Sequence, residues 1–124
     1  QGGETAFANF PNLEVEISGA GTGEVNGVYK AAASSDSIRA FRKQGTPTYW
    51  LRCLPAAEWP GGWYIEIADT GQGVYFHESE DYNIVPTEGW KVYTGACSKP
   101  GKTPLPKFTV KGGQRPLYEP LRIK

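Results

Sequence analysis

At 124 residues the chain has room for one domain. Its 16 Gly, 10 Pro and 13% aromatic content fit a turn-rich all-β protein better than a helical one. Basic and acidic residues balance at 13 each, which excludes a uniformly basic nucleic-acid binder, and no apolar run approaches the roughly 18 residues of a membrane-spanning helix.

In chain order, residues 1–12 carry Phe7 and Phe10 ahead of Pro11 without any periodicity, so they are read as an N-terminal arm. Residues 13–18 alternate cleanly as a first strand and turn at Gly19-Ala20-Gly21-Thr22-Gly23. A short strand is expected over 25–30, with Asn26-Gly27 as a bulge or tight turn inside it. Residues 31–37 read as a loop and 38–43 as a strand closed by Gln44-Gly45-Thr46-Pro47. The next strand, 48–54, sets Tyr49, Leu51 and Cys53 on one face. The stretch 62–68 is the clearest: Trp63, Ile65 and Ile67 alternate with Tyr64, Glu66 and Ala68 between two glycine-rich turns. It is the expected central strand, with Trp63 in the core. Further strands are expected over 73–77, 90–94 and 107–111. An acidic turn, Glu78-Ser79-Glu80-Asp81, follows the first of these, and a proline-spaced connector over 100–106 precedes the last. Residues 112–124 begin with Gly112-Gly113 and read as a C-terminal arm.

The expected architecture is therefore an antiparallel meander of about seven or eight short strands, rolled into a small barrel or sandwich with extended arms at both ends. The domain occupies 13–111 and the arms 1–12 and 112–124.

Several of these stretches resemble a small β-module found in protist multi-domain proteins and in bacterial and phage surface or tail proteins. They are Val15-Glu16-Ile17-Ser18-Gly19-Ala20-Gly21, Val25-Asn26-Gly27-Val28-Tyr29, Trp63-Tyr64-Ile65, Tyr75-Phe76, Pro86 with Trp90, Gly95, and Pro104 with Pro106 before Val110. The similarity runs over 13–110, departs from the pattern over 31–48, and does not include the cysteines. It implies a β-rich binding or structural module without catalysis.

The chain has no Met, position 1 included, and a processed, secreted protein is the expectation; Gln1 could cyclise in such a product. In that setting Cys53 and Cys97 are expected to form a disulfide, worth about 4 kcal/mol in the chain-entropy model; two buried thiols are the alternative. No Asn-x-Ser/Thr sequon is present.

Nothing in the motifs points to a reaction. His77 is the only histidine, so a zinc site would need two carboxylates beside it. The acidic turn lacks EF-hand spacing. The glycine run at 19–23 lacks the Lys-Ser/Thr of a phosphate loop, and no serine sits in a nucleophile elbow. No catalytic residue, metal or cofactor is expected.

Two functional readings remain. Charge is divided along the chain: Lys99, Lys102, Lys107, Lys111, Arg115, Arg122 and Lys124 face Glu119 alone, whereas residues 1–97 hold the other 6 bases and 12 acids. Such a split marks an interaction tail. The C-terminal arm, with Arg115 and the apolar series Leu117, Tyr118, Leu121 and Ile123, is the expected contact to another copy of the chain, giving an extracellular, self-associating structural module. The alternative is a carbohydrate-binding or adhesion module that uses Trp50, Trp59, Tyr64 and Tyr75 as exposed aromatics. Copies of itself or glycans are thus the expected partners, without nucleic acid or a membrane span.

Overall fold

A computed structural model of the protein describes residues 13–32, 39–46, 48–55 and 61–111. Both arms lie outside these residues, and with them Arg115, Leu117, Tyr118, Leu121 and Ile123; so does Trp59. The described residues are all-β. Eight strands, β1 Glu14–Ser18, β2 Gly27–Ala31, β3 Arg39–Lys43, β4 Tyr49–Leu54, β5 Gly62–Ile67, β6 Gly73–His77, β7 Lys91–Val92 and β8 Lys107–Lys111, form one antiparallel sheet. Its order is β7-β6-β5-β4-β3-β2-β1-β8, a meander whose last strand returns to lie beside the first. The sheet curls on itself as a half-barrel, so the core has one inner face and no second sheet opposite it. Among the described residues the one helical turn is the 3-10 segment Gly23–Val25, and no helix is long and apolar enough to cross a membrane.

Alternation decides what faces inward. The register brings Ala31, Phe41, Leu51, Ile65, Tyr75 and Val92 into one row across six strands. Arg39, Cys53, Trp63 and His77 make the next row toward one end. Trp63 is fully buried, with its ring 6.4 Å from Phe41 and its Nε1–H donated to the Asp81 carbonyl. Val15, Ile17 and Tyr29 close the inner face on the β1–β2 side. A bulge between Ile65 and Glu66 inserts Val74 and lets β5 and β6 coil.

The glycine-rich turn after β1 has a defined packing role. Gly21 donates to the Pro104 carbonyl at 2.8 Å, and a Cβ there would lie 2.2 Å from the Thr103 carbonyl oxygen. Asn26 Oδ1 accepts from the Ala20 N–H, and the Tyr29 hydroxyl donates to the Val25 carbonyl. The proline-spaced connector therefore crosses this end of the sheet on a surface only glycine permits. Thr22 Oγ1 accepts from the Lys102 N–H, and the Tyr75 hydroxyl donates to the Lys102 carbonyl at 2.6 Å.

Two expectations need correction. The strand expected over 90–94 shrinks to Lys91–Val92. Trp90 is held inward by its Nε1–H bond to the Pro86 carbonyl, and beyond Tyr93 the chain bends so that Cys97, Lys99 and Gly101 bond Gly73 and Val74. The Cys53–Cys97 disulfide is also not formed: both cysteines are free. Cys53 is buried opposite Trp63 at one end of β5, whereas Cys97 is exposed beside Gly71 and Gly73 at the other. The length of β5 between them is on the order of 13 Å, well beyond the reach of about 7 Å between bridged Cα atoms.

Candidate functional site

The candidate aromatics take three different positions. Tyr75 faces the core with no exposed surface and anchors the connector through its hydroxyl. Tyr64 faces outward, as alternation requires, yet only 2% of it is exposed. It packs 4.9 Å from Phe76 and edge-on to Tyr93, which lies over Gly73. Burial, then Tyr93 and Glu66, push the Tyr64 hydroxyl up to about 12. Neither tyrosine offers a free ring. Trp50 does stand part-exposed on the outer face, with the Arg42 guanidinium 5.3 Å above its ring centre. Beside it Arg52 and Glu66 form a 2.9 Å ion pair, the Glu66 side chain almost fully buried. A strand over 90–94 does not predict the cover on Tyr64, because Tyr93 leaves the strand and folds over Gly73.

His77 is a structural hinge pin for the loop 78–90. Its Nδ1 accepts the Ser79 N–H at 3.0 Å and its Nε2 lies 2.8 Å from the Glu88 carbonyl, which assigns the proton to Nε2. Arg39 reinforces the loop by donating to the Tyr82 and Asn83 carbonyls. Burial lowers the Arg39 pKa, with Cys53 acting in the opposite direction. The acidic turn is organised by its own backbone: Ser79 Oγ accepts from Asp81 N–H and Asp81 Oδ1 from Asn83 N–H. Glu78 is held below the usual carboxylate range by a backbone hydrogen bond and by Lys91. Among the described residues no group of three His, Cys, Asp or Glu side chains is arranged to hold a metal ion.

The remaining feature is the seam of the half-barrel. Among the described residues β8 pairs with β1 alone, and β7 with β6 alone, so both are edges of the described sheet. Trp90, just ahead of β7, stacks on Phe108 of β8 with ring centres 4.7 Å apart and planes at 17°. Between β7 and β8 themselves the described residues form no backbone ladder; this aromatic pair bridges them, while the connector bonds Gly73 and Val74 on one side and Gly21 and Thr22 on the other. Its inward residues are incompletely covered: Val92 on one side and Phe108 and Val110 on the other stay part-exposed, while Val15 and Ile17 next to them are shut off from solvent. Leu105, just before β8, is 38% exposed.

No protein-family model, curated protein or solved structure matches the chain.

The seam also fixes where the arms begin. Glu14 of β1 pairs with Lys111 of β8, so residues 1–12 enter and residues 112–124 leave the sheet at the same end, on neighbouring strands. The loop 78–90 closes that end and carries Glu78, Glu80, Asp81 and Glu88.

Proposed function

We propose that the protein is an extracellular structural module that associates with copies of itself through its terminal arms. The observation that supports the reading is the Glu14–Lys111 pairing, which brings the first and last described strands together at one end of the sheet, the end that carries the acidic loop. Arms that emerge together from one end reach a neighbour without covering the rest of the domain. The C-terminal arm, with Arg115, Arg122 and Lys124 against Glu119, has charge complementary to the loop bearing Glu78, Glu80, Asp81 and Glu88. A contact between unlike surfaces of two copies is heterologous and can propagate into a filament. The resemblance to modules of surface and tail proteins agrees in kind with this role. The extracellular location belongs to the same proposal, without a disulfide behind it.

Of its candidates Trp50, Tyr64 and Tyr75, a glycan-binding reading now draws on Trp50, and Arg42 already lies over that ring. It predicts a sugar-dependent change in tryptophan emission that Trp50→Ala removes.

Light scattering on the size-fractionated full chain over a wide concentration range tests the first reading. Concentration-dependent assembly that disappears when residues 1–12 and 112–124 are both deleted supports it, and added salt should weaken the contact in part. A full chain that stays monomeric at every concentration overturns it.

A further inference from the structure

We infer that the N-terminal arm of a second copy, residues 4–10, adds to the sheet as a ninth strand antiparallel to β8. This rests on the arm-mediated association proposed above and names the arm and the surface that accepts it.

The direction of the backbone groups along β8 follows from the hydrogen bonds of β2. The Gln44 N–H bonds the Val28 carbonyl and the Ala32 N–H bonds the Ala40 carbonyl, so the even residues of β2 face β3. Gly27, Tyr29 and Ala31 then face β1, where Tyr29 meets Val15 and Gly27 meets Ile17. That leaves Glu14, Glu16 and Ser18 facing β8, opposite Lys111, Thr109 and Lys107. The N–H and C=O groups of Phe108 and Val110 therefore point away from the sheet, and no strand among the described residues pairs with them. The side chains of the same two residues are the incompletely covered ones at the seam. An extended segment placed there would satisfy the backbone and cover the apolar surface in one step.

The two arms differ in fitness for that place. Residues 4–10, Glu-Thr-Ala-Phe-Ala-Asn-Phe, contain no proline and can donate at every position. Ala6, Ala8 and Phe10 form an apolar alternate set that can face the core beside Phe108 and Val110. The C-terminal arm is interrupted by Pro116 and Pro120, each lacking a donor. Charge points the same way. β8 begins and ends with Lys107 and Lys111; the N-terminal arm brings Glu4 and no Lys or Arg, whereas the other arm brings Arg115, Arg122 and Lys124.

Chain direction favours a second copy. β8 runs toward the end at which residues 1–12 enter β1. To lie antiparallel to β8 in its own molecule, the arm would have to finish at the far end and return roughly 17 Å. The return takes about five residues on top of the five in the strand and leaves almost none for the turns. A neighbouring molecule has no such limit and preserves the antiparallel pairing found throughout the sheet.

The test uses three variants with light scattering and two labelled peptides. Val110→Pro removes an outward donor without touching the bonds to β1. Deleting residues 1–12, or Val110→Pro, should raise the dissociation constant of assembly about tenfold or more, while deleting 112–124 leaves most of it. A labelled peptide of residues 1–12 should bind the chain lacking residues 1–12, and a Phe10→Asp peptide should bind at least about tenfold more weakly. Assembly lost only on deletion of 112–124, or retained in folded Val110→Pro, overturns the inference and leaves arm-mediated association standing. A full chain that never assembles overturns both. The peptide reports on the contact without altering β8; if Val110→Pro does not fold, no binding of the peptide overturns the inference by itself.

Discussion

Replacing Trp90 by Ala should open the seam and cost about 3 to 5 kcal/mol, the range for removing a large buried aromatic. Three contacts make up the loss. The ring stacks on Phe108 at 4.7 Å, meets His77 edge-on at 5.7 Å, and donates from Nε1 to the Pro86 carbonyl at 2.8 Å. Stacking accounts for roughly 0.5 to 1.5 kcal/mol beyond area burial, and the hydrogen bond for about 1 kcal/mol. Trp90→Phe keeps a stacking partner and loses the donor, so it should cost distinctly less than the alanine. Urea unfolding followed by far-UV circular dichroism gives both values, and the cycle with Phe108→Ala isolates the pair. A coupling of about 0.5 to 1.5 kcal/mol is expected between them. Hydrogen exchange adds a local readout: the Thr109 amide, which faces β1, should exchange faster in Trp90→Ala as β8 frays. A total loss below about 1 kcal/mol with no coupling to Phe108 would show that the stack does not hold the seam, and that the curl of the sheet comes from β1 to β6 alone.

Native thiol titration should find one reactive cysteine, Cys97, and denaturation should release the second, because burial first, and then Glu80 and Asp81, push the Cys53 thiol up to about 12; an oxidised pair in the intact mass would contradict this. Stability should hold up to about pH 10 and fall as pH rises toward 12, since Tyr64 is held neutral in the fold and ionises near 10 when unfolded; above pH 10 the native state binds more protons, so the slope is negative. Burial holds Tyr29 neutral still further, and absorbance at 295 nm should show Tyr29 ionising only with unfolding. Glu66→Ala should destabilise by about 3 kcal/mol by breaking the 2.9 Å buried ion pair with Arg52, whereas Glu14→Ala, which breaks the exposed 3.7 Å pair with Lys30, should cost under about 1 kcal/mol in the same urea assay.

Period-two alternation made most of the strands legible, because a half-buried strand must alternate. Val15 and Ile17, Tyr49, Leu51 and Cys53, and Trp63 and Ile65 all face the core as their spacing requires. What alternation cannot carry is how tightly the outer face is covered. Tyr64 is on the outside and still buried, because Tyr93, 29 residues further along the chain, folds back across Gly73; no local pattern records that contact. The same holds for Trp90 and Phe108, whose stack depends on the curl of the whole sheet. The cysteine pairing failed for a related reason: an even count says nothing about which end of a strand each sulfur occupies. Gly21 lay in plain view as a turn residue, but the connector that passes over it is eighty residues further along the chain.

The free edge of β8 is guarded at both ends by lysine, a common protection against unplanned strand pairing. The guard is selective. Two β8 edges meeting antiparallel about Thr109 would set Lys107 of each directly opposite Lys111 of the other, and like charges in that position are destabilising. A closed, two-fold dimer through these edges is therefore disfavoured. A proline-free segment such as residues 4–10, which brings Glu4 and no Lys or Arg, meets no such repulsion. On the proposed contact each copy would offer one arm and one edge to its neighbours. Contacts of this kind pass from one molecule to the next in a single sense and end only where an arm or an edge is left over. The feature that leaves the half-barrel open, a seam without a backbone ladder between β7 and β8, is thus also what would give the assembly its direction.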